Sequence, residues 1–310
     1  MDIDLREPLD LDVPEAPRRW VTGAGFAIEL RRHTRSGPQR LLVAADAETG
    51  ELVCLPWLLP EGWELRSLSG DGRWILIDTH CDGSVGRLCL VAVATGDQRL
   101  LDVDPEVGDA DVFVSFSPDG GSLAMVHFTD GPTSSGSGGL SVLAVLDIAS
   151  GASRRLFTSP GFVGFSCGVA WAPDGRHVAA TYVAQDDAHP EGNFQVVVVG
   201  LDGQAIAHLP GHDVFLTPPD NSAWLDDGRL LCFGDTGVTA VDVITGEAGP
   251  PVSDRELAAR RGDRLVRSGT ETALETTALD GTDVRPWLDV TPSGKVATIR
   301  FADERGSDQP

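Results

Sequence analysis

The chain has 310 residues, including 36 Gly and 20 Pro, with 41% hydrophobic residues and a formal net charge of −23. A surface of that sign cannot release counterions from a phosphate backbone and is repelled by anionic lipid, which excludes nucleic acid and membrane docking as direct functions. No apolar stretch approaches spanning length, so no membrane insertion is expected either.

The first residues, Met1–Arg6, offer neither a basic n-region nor an apolar h-region. No secretory signal is therefore expected. The five cysteines (Cys54, Cys81, Cys89, Cys167 and Cys232) form no C-x-x-C pair and are odd in number. Free thiols in a reducing cytoplasm suit that pattern best. Basic charge is almost all Arg, with Lys295 the single lysine, which reads as codon bias of a GC-rich bacterial genome.

In chain order, Ile3–Leu11 alternates apolar and charged residues and is expected to form a closing strand. Units of one pattern follow: strand, turn, strand, loop, strand, turn, strand. Turns of a first kind lie near Gly23, Asp71, Asp119, Asp174, Asp227, Asp263 and Ser293. Those of a second kind lie at Thr49-Gly50, Thr95-Gly96, Ser150-Gly151, Asp202-Gly203, Thr245-Gly246 and Asp280-Gly281. In Phe116-Ser117-Pro118-Asp119-Gly120 and Trp171-Ala172-Pro173-Asp174-Gly175, Pro presets φ, Asp bonds its own backbone and Gly accepts a positive φ.

The third unit predicts strands over Asp111–Phe116, Ser122–Phe128, Leu140–Asp147 and Arg154–Phe157. The fourth predicts them over Gly168–Trp171, His177–Val183, Phe194–Leu201 and Gln204–Leu209. Ser253–Arg260 is the single expected helix. A repeat of this period means stacked four-stranded units, an all-β propeller of antiparallel blades in one domain. The count favours seven blades, with the last completed by the N-terminal segment; six plus an added strand is the alternative. Residues 1–14 then form the closing arm, 15–304 the blades and 305–310 a tail.

The aromatic-Ser/Ala-Pro-Asp-Gly motif, followed by a basic or small residue and an apolar strand, resembles the TolB-type propeller repeat. It is also similar to blades of WD-repeat propellers and to the propeller of prolyl oligopeptidases. The resemblance covers residues 15–305, strongest at 111–183 and poorest at 253–305. It implies structural roles for the motif: Pro118, Asp119, Gly120, Pro173, Asp174 and Gly175 build turns, and Trp171 and Trp224 pack between sheets. It carries over no catalytic residue, and it implies an interaction platform.

Candidate site residues come from sorting loops by face. Turns with Pro-Asp-Gly open on one face. Loops after second strands, and linkers from outer to inner strands, open on the other. That second face gathers His80, Asp82, His127, Asp130, Asp186, His189, His212 and Asp213, with Asp187 and Asp235 nearby, whereas His177 and His208 fall elsewhere. No H-x-H or H-E-x-x-H spacing supports a metal, and none is expected, nor any cofactor. Three longer segments, Thr129–Gly139, Ala184–Asn193 and the Pro-rich linker His212–Asp220, mark this face as the partner surface.

Gly164-Phe165-Ser166-Cys167-Gly168 matches the nucleophile-elbow pattern, but it runs into a strand rather than the helix that chemistry needs. Thr22-Gly23-Ala24-Gly25 lacks the third glycine of a phosphate loop. Trp57 and Trp63 are read as inter-blade packing. The expected function is a monomeric, non-enzymatic scaffold for a protein or peptide. The alternatives are a metal-dependent lyase or hydrolase using the histidine-bearing rim, and a small-ligand sensor.

Overall fold

The computed structural model describes residues 25–34, 37–46, 52–58, 63–69, 71–79, 88–92, 96–101, 113–129, 140–160, 168–184, 193–214, 223–225, 227–234, 237–253, 257–261, 264–270, 273–278, 282–289 and 296–301. The first sheet draws on β1 (Gly25–Thr34), β2 (Gly37–Asp46) and β3 (Leu52–Leu58). The second holds β4 (Trp63–Leu68), β5 (Trp74–Thr79), β6 (Leu88–Ala92) and β7 (Gln98–Leu100). The third holds β8 (Phe113–Phe116), β9 (Ser122–Thr129), β10 (Leu140–Asp147) and β11 (Ser153–Pro160). The fourth holds β12 (Val169–Trp171), β13 (His177–Ala184), β14 (Asn193–Gly200) and β15 (Ala205–Pro210). The fifth holds β16 (Asp213–Val214), β17 (Leu230–Gly234), β18 (Gly237–Val241) and β19 (Ala248–Ser253). The sixth holds β20 (Leu257–Arg261), β21 (Arg264–Thr270), β22 (Ala273–Ala278) and β23 (Arg285–Asp289), and β24 (Val296–Phe301) ends the series.

The described residues thus form six four-stranded antiparallel sheets, the fold of a β-propeller. The order β24-β1-β2-β3 puts the C-terminal strand beside β1, with Ile28 opposite Phe301 and Leu30 opposite Ile299. β24 is therefore the inner strand of the first sheet. The sheets found among the described residues number six, as in the alternative count, and the preferred seven is not confirmed. The units near Gly23 and Ser293 were two in sequence but precede β1 and β24, two strands of one sheet. Closure joins the N- and C-terminal parts of the chain as expected, but through residues 25–58; Ile3–Leu11 lies outside the described residues.

One correction concerns Ser253–Arg260. Ser253 ends β19, and Leu257–Arg261 is a strand, with Arg260 opposite Leu265 and Arg261 opposite Arg264. Leu, Ala and Arg favour helices, but the site at the start of a sheet overrides that weak preference. The other strands sit within a few residues of their expected bounds, and β10 matches at both ends.

The core fills the seams between neighbouring sheets. Leu76, Leu90, Phe116, Leu123 and Met125 close the seam between the second and third sheets. Ala124, Val126, Trp171, Val178 and Tyr182 close the next, and Ala170, Ala179, Val214, Trp224 and Leu231 the one after. Trp171 and Trp224 are both buried, and each indole N–H reaches back into the preceding sheet. Trp171 Nε1 donates to the Ser115 carbonyl at 3.0 Å and Trp224 Nε1 to the Ala170 carbonyl at 3.2 Å. Phe116 holds the corresponding place in the third sheet, fully buried.

The repeated turn has two chemical versions. In the second and third sheets a serine starts it. The Ser69 hydroxyl donates to Asp71 Oδ1 at 2.7 Å while accepting from the Trp74 N–H at 2.9 Å, and Ser117 does the same with Asp119 (2.6 Å) and Ser122 (2.9 Å). In the fourth and fifth sheets the serine is replaced by Ala172 and Leu225. There Asp174 holds His177 Nδ1 at 2.7 Å and Asp227 holds Arg229 Nε at 2.8 Å. Gly120 sits at φ +65°, and any Cβ there would strike the Asp71 carboxylate at 2.6–2.8 Å. Arg73 pairs with Asp71 and donates from Nη2 to the Asp119 carbonyl at 2.9 Å, linking adjacent turns.

These turns predict an acid-sensitive fold. The Ser117 hydroxyl and the Gly121 N–H hold Asp119 below its ordinary 3.8, and the Arg229 guanidinium and N–H do the same for Asp227. Asp147 is lowered by the hydroxyl and N–H of Ser150. A carboxylate with a lowered folded pKa contributes stability that is complete above its unfolded value and lost as pH falls through the folded one. Thermal unfolding should therefore change little above about pH 5 and drop steadily below about pH 4. At about pH 3, Asp119→Asn should lose less than the parent relative to pH 7. An equal loss would show that the turn is not the sensor.

Candidate functional site

Of the eight residues expected on the second face, His80, Asp82, Asp130, Asp186 and His189 lie outside the described residues. His127 is placed by its backbone in β9, opposite Val142 and two residues before the strand's end. Only His212 and Asp213 are brought together in full detail. They sit where the chain crosses from β15, the outer strand of the fourth sheet, to β16, the inner strand of the fifth. The linker expected over His212–Asp220 is shorter than that, since Asp213 and Val214 already pair with Phe233 and Cys232. The next rung is Leu231 N–H to the Ala223 carbonyl at 2.6 Å, so residues 215–222 intervene between successive rungs of that inner strand.

The seam is built on Thr181, the fifth residue of β13. Its hydroxyl donates to Asp213 Oδ1 at 2.7 Å and accepts from the Val214 N–H at 2.8 Å, both wholly buried. Its own N–H donates to the Gly168 carbonyl at 2.8 Å. Gly168 is needed there for space: a Cβ would lie 2.5 Å from Val214 Cβ and 2.6 Å from the Val214 carbonyl oxygen. One hydroxyl thus binds the second strand of the fourth sheet to the inner strand of the fifth.

Asp213 is 8% exposed. Burial, and secondly the Asp213 carboxylate, raise the Cys232 thiol pKa well above its usual range. Cys232 stays protonated and serves as packing rather than as a nucleophile. Cys89, also buried and free, is raised by burial as well. His212 is half-buried, with its imidazole against Gly234, where a Cβ would lie 3.6 Å from Nδ1. Two aromatics bracket this crossing. The Gly211 N–H donates to the Phe194 carbonyl at 2.8 Å, and Phe233 pairs with Asp213. Each phenylalanine is 39% exposed, whereas most large apolar side chains among the described residues are buried.

Thr181, Phe194 and Phe233 were not among the expected site residues. A signal for Thr181 exists in register: it stands seven residues after Asp174, as Asp78 stands after Asp71, and both are buried polar groups in otherwise apolar alternation. The two phenylalanines carry no such signal, because their exposure depends on where strand ends meet between sheets. His177 and His208 lie as expected, in the first-face turn and on outer strand β15. His208 Nδ1 is 3.4 Å from the Tyr182 hydroxyl, which donates to Gln195 Oε1 at 2.8 Å. Ser166 lies outside the described residues, and Gly168 leads directly into β12. Among the described residues, no group of three His, Cys, Asp or Glu side chains is placed to hold a metal.

Fold and seam together define a β-propeller of TolB-like architecture. It is similar to TolB from Acinetobacter baumannii, with a TM-score of 0.54 and 17% identity over 89% of this chain and 66% of that one. The putative TolB from Agrobacterium tumefaciens gives 0.52 and 16%, over 90% of this chain and 99% of that one. A chain of the nidogen/laminin complex gives 0.52 and 10%, over 90% and 98% respectively. At these identities the likeness is one of fold. No protein-family model matches the sequence, and comparison with curated proteins gives no match.

Proposed function

We propose that the chain is a monomeric, non-enzymatic propeller that presents its second face, at the seam of the fourth and fifth sheets, to a protein or peptide. The supporting observation is the placement of Phe194 and Phe233, partly exposed on either side of the His212–Asp213 crossing. Partly buried aromatics over a rigid polar base are what interface anchors require: large apolar area and little entropy lost on contact. The Thr181 hydrogen bonds and the Gly168 close approach supply that rigid base. A reducing, cytoplasmic setting belongs to the same reading, with Cys89 and Cys232 as unreactive thiols.

The test is capture from an extract of the native host on immobilised protein, beside the Phe194→Ala/Phe233→Ala double variant. A stoichiometric partner retained by the parent and lost by a folded variant is expected. Equal retention by both, or stoichiometric bound metal with turnover of a substrate, would overturn the reading.

A further inference from the structure

The outer strands of the six sheets are β3, β7, β11, β15, β19 and β23, and no strand among the described residues pairs with their outer edges. Such an edge offers free N–H and C=O groups, which proline, charge or short length keeps from pairing with other chains. Pro56 interrupts β3, Pro250 and Pro251 interrupt β19, and Pro286 interrupts β23. β7 has three residues, and β11 carries the exposed pair Arg154 and Arg155. β15 differs. Its residues Ala205–Leu209 include no Pro, Lys, Arg, Asp or Glu, and Ala205, Ile206 and His208 are exposed. A bulge, which β3, β11, β19 and β23 also have, makes Ile206 the extra residue between Ala205 and Ala207. Its side chain is 54% exposed.

Register decides which main-chain groups point outward. The Gly211 N–H donates to the Phe194 carbonyl, so by the alternation of an antiparallel ladder Leu209 also turns inward. His208 then turns its N–H and C=O to the open edge. Pro210 takes the next outward position, where β14 needs no N–H from it.

We propose that the outer edge of β15 takes an extended, non-acidic segment of a partner protein as a further strand, hydrogen-bonded to the His208 main chain, with β-branched or aromatic side chains against Ile206 and His208. This surface is separate from the second-face seam and does not rest on it. A strand is the fitting occupant, because the N–H and C=O of an open edge are answered by extended main chain, and alternate side chains supply selectivity. The His208 ring lies beside Phe157, with centroids 6.2 Å apart, and so offers a flat surface to a β-branched or aromatic side chain paired across from it. A second copy of this chain is disfavoured. Each copy carries −23, and in an antiparallel pair centred on His208 the Pro210 of one copy would fall opposite Ile206 of the other and offer no N–H. The same charge rejects an acidic segment.

The probe is a fluorescein-labelled peptide, Gly-Thr-Val-Thr-Phe-Thr-Gly, read by fluorescence anisotropy on the full chain. One counterpart is N-methylated at its three central residues, and another has glutamate for each threonine. The unmodified peptide should bind about tenfold tighter than either. His208→Pro removes an N–H that the ladder does not use and should cost about tenfold in affinity; His208→Ala keeps that N–H and should cost clearly less. Ile206→Lys should also weaken binding about tenfold. Leu100→Lys makes the same charge change on the exposed side of β7 and should leave binding unchanged. Circular dichroism and thermal unfolding confirm that each variant is folded.

Equal affinity for the N-methylated peptide, or equal losses in His208→Pro and His208→Ala, would show contact without strand addition and overturn the inference. So would equal losses in the two lysine variants, or equal binding of the glutamate peptide. A parent that sediments as a dimer while Ile206→Lys sediments as a monomer would give the edge to a second copy instead. Absence of binding would remove the β15 edge as a docking surface and leave the second-face reading to its own capture experiment. Binding lost in Phe233→Ala would place the peptide on the second-face seam, overturning this inference and supporting that reading.

Discussion

Trp171→Ala is expected to lower the unfolding free energy by about 4 kcal/mol and the thermal midpoint by roughly 10 °C. The indole is 1% exposed, packed against Ala124, Val126, Val178 and Ala180, so truncation opens a cavity lined by two sheets that cannot easily collapse. Its N–H also supplies a hydrogen bond to the Ser115 carbonyl. Trp171→Phe separates the two contributions. Phe116 fills the matching place in the third sheet, so a phenyl ring suits the site. That variant should lose about 1–2 kcal/mol, for the hydrogen bond and the smaller ring. Denaturant unfolding followed by circular dichroism measures both. A loss below about 1 kcal/mol for Trp171→Ala would mean that the seam repacks freely.

Thr181→Val should be nearly as costly, although it preserves shape. The methyl that replaces the hydroxyl removes a bond to a carboxylate and strips the Val214 N–H of its partner, both in the interior. A charge-assisted bond contributes about 1.5–3 kcal/mol, and a stranded buried donor costs about 1–3 kcal/mol. A combined loss of about 3 kcal/mol is therefore expected. Thr181→Ser keeps the hydroxyl and should recover most of it. If valine proved harmless, the two sheets would be joined by apolar packing alone. The proposed docking site would then lack its fixed base.

What the sequence disclosed follows from how local each signal is. The turns were legible because Gly120, Gly175 and Gly228 must accept positive φ and because Asp119 and Asp174 bond their own backbone within two residues. The strands of the third and fourth sheets followed from apolar runs between such turns. The preferred blade count went unconfirmed where a sheet is assembled from residues about 270 apart, since no local signal says that Val296–Phe301 pairs with β1. The helix at Ser253–Arg260 failed because propensity is local and sheet placement is not. For the site, sorting loops onto faces pointed to the His212–Asp213 crossing. Thr181 was not among the candidates: its mark in the sequence is the register it shares with Asp78, and its role shows only once its partner in the next sheet is known.

The pairing of β24 with β1 sets a timetable for folding on the ribosome. The inner edge of β1 stays exposed until residues 296–301 emerge, roughly 15 to 50 s later at about 5–20 residues per second. For that interval the nascent chain presents a ten-residue open edge, the kind of surface that recruits strands from neighbouring molecules. Chains cut short before Val296 would carry that edge permanently. Proteases and chaperones should therefore distinguish finished from unfinished copies of this protein by its last strand.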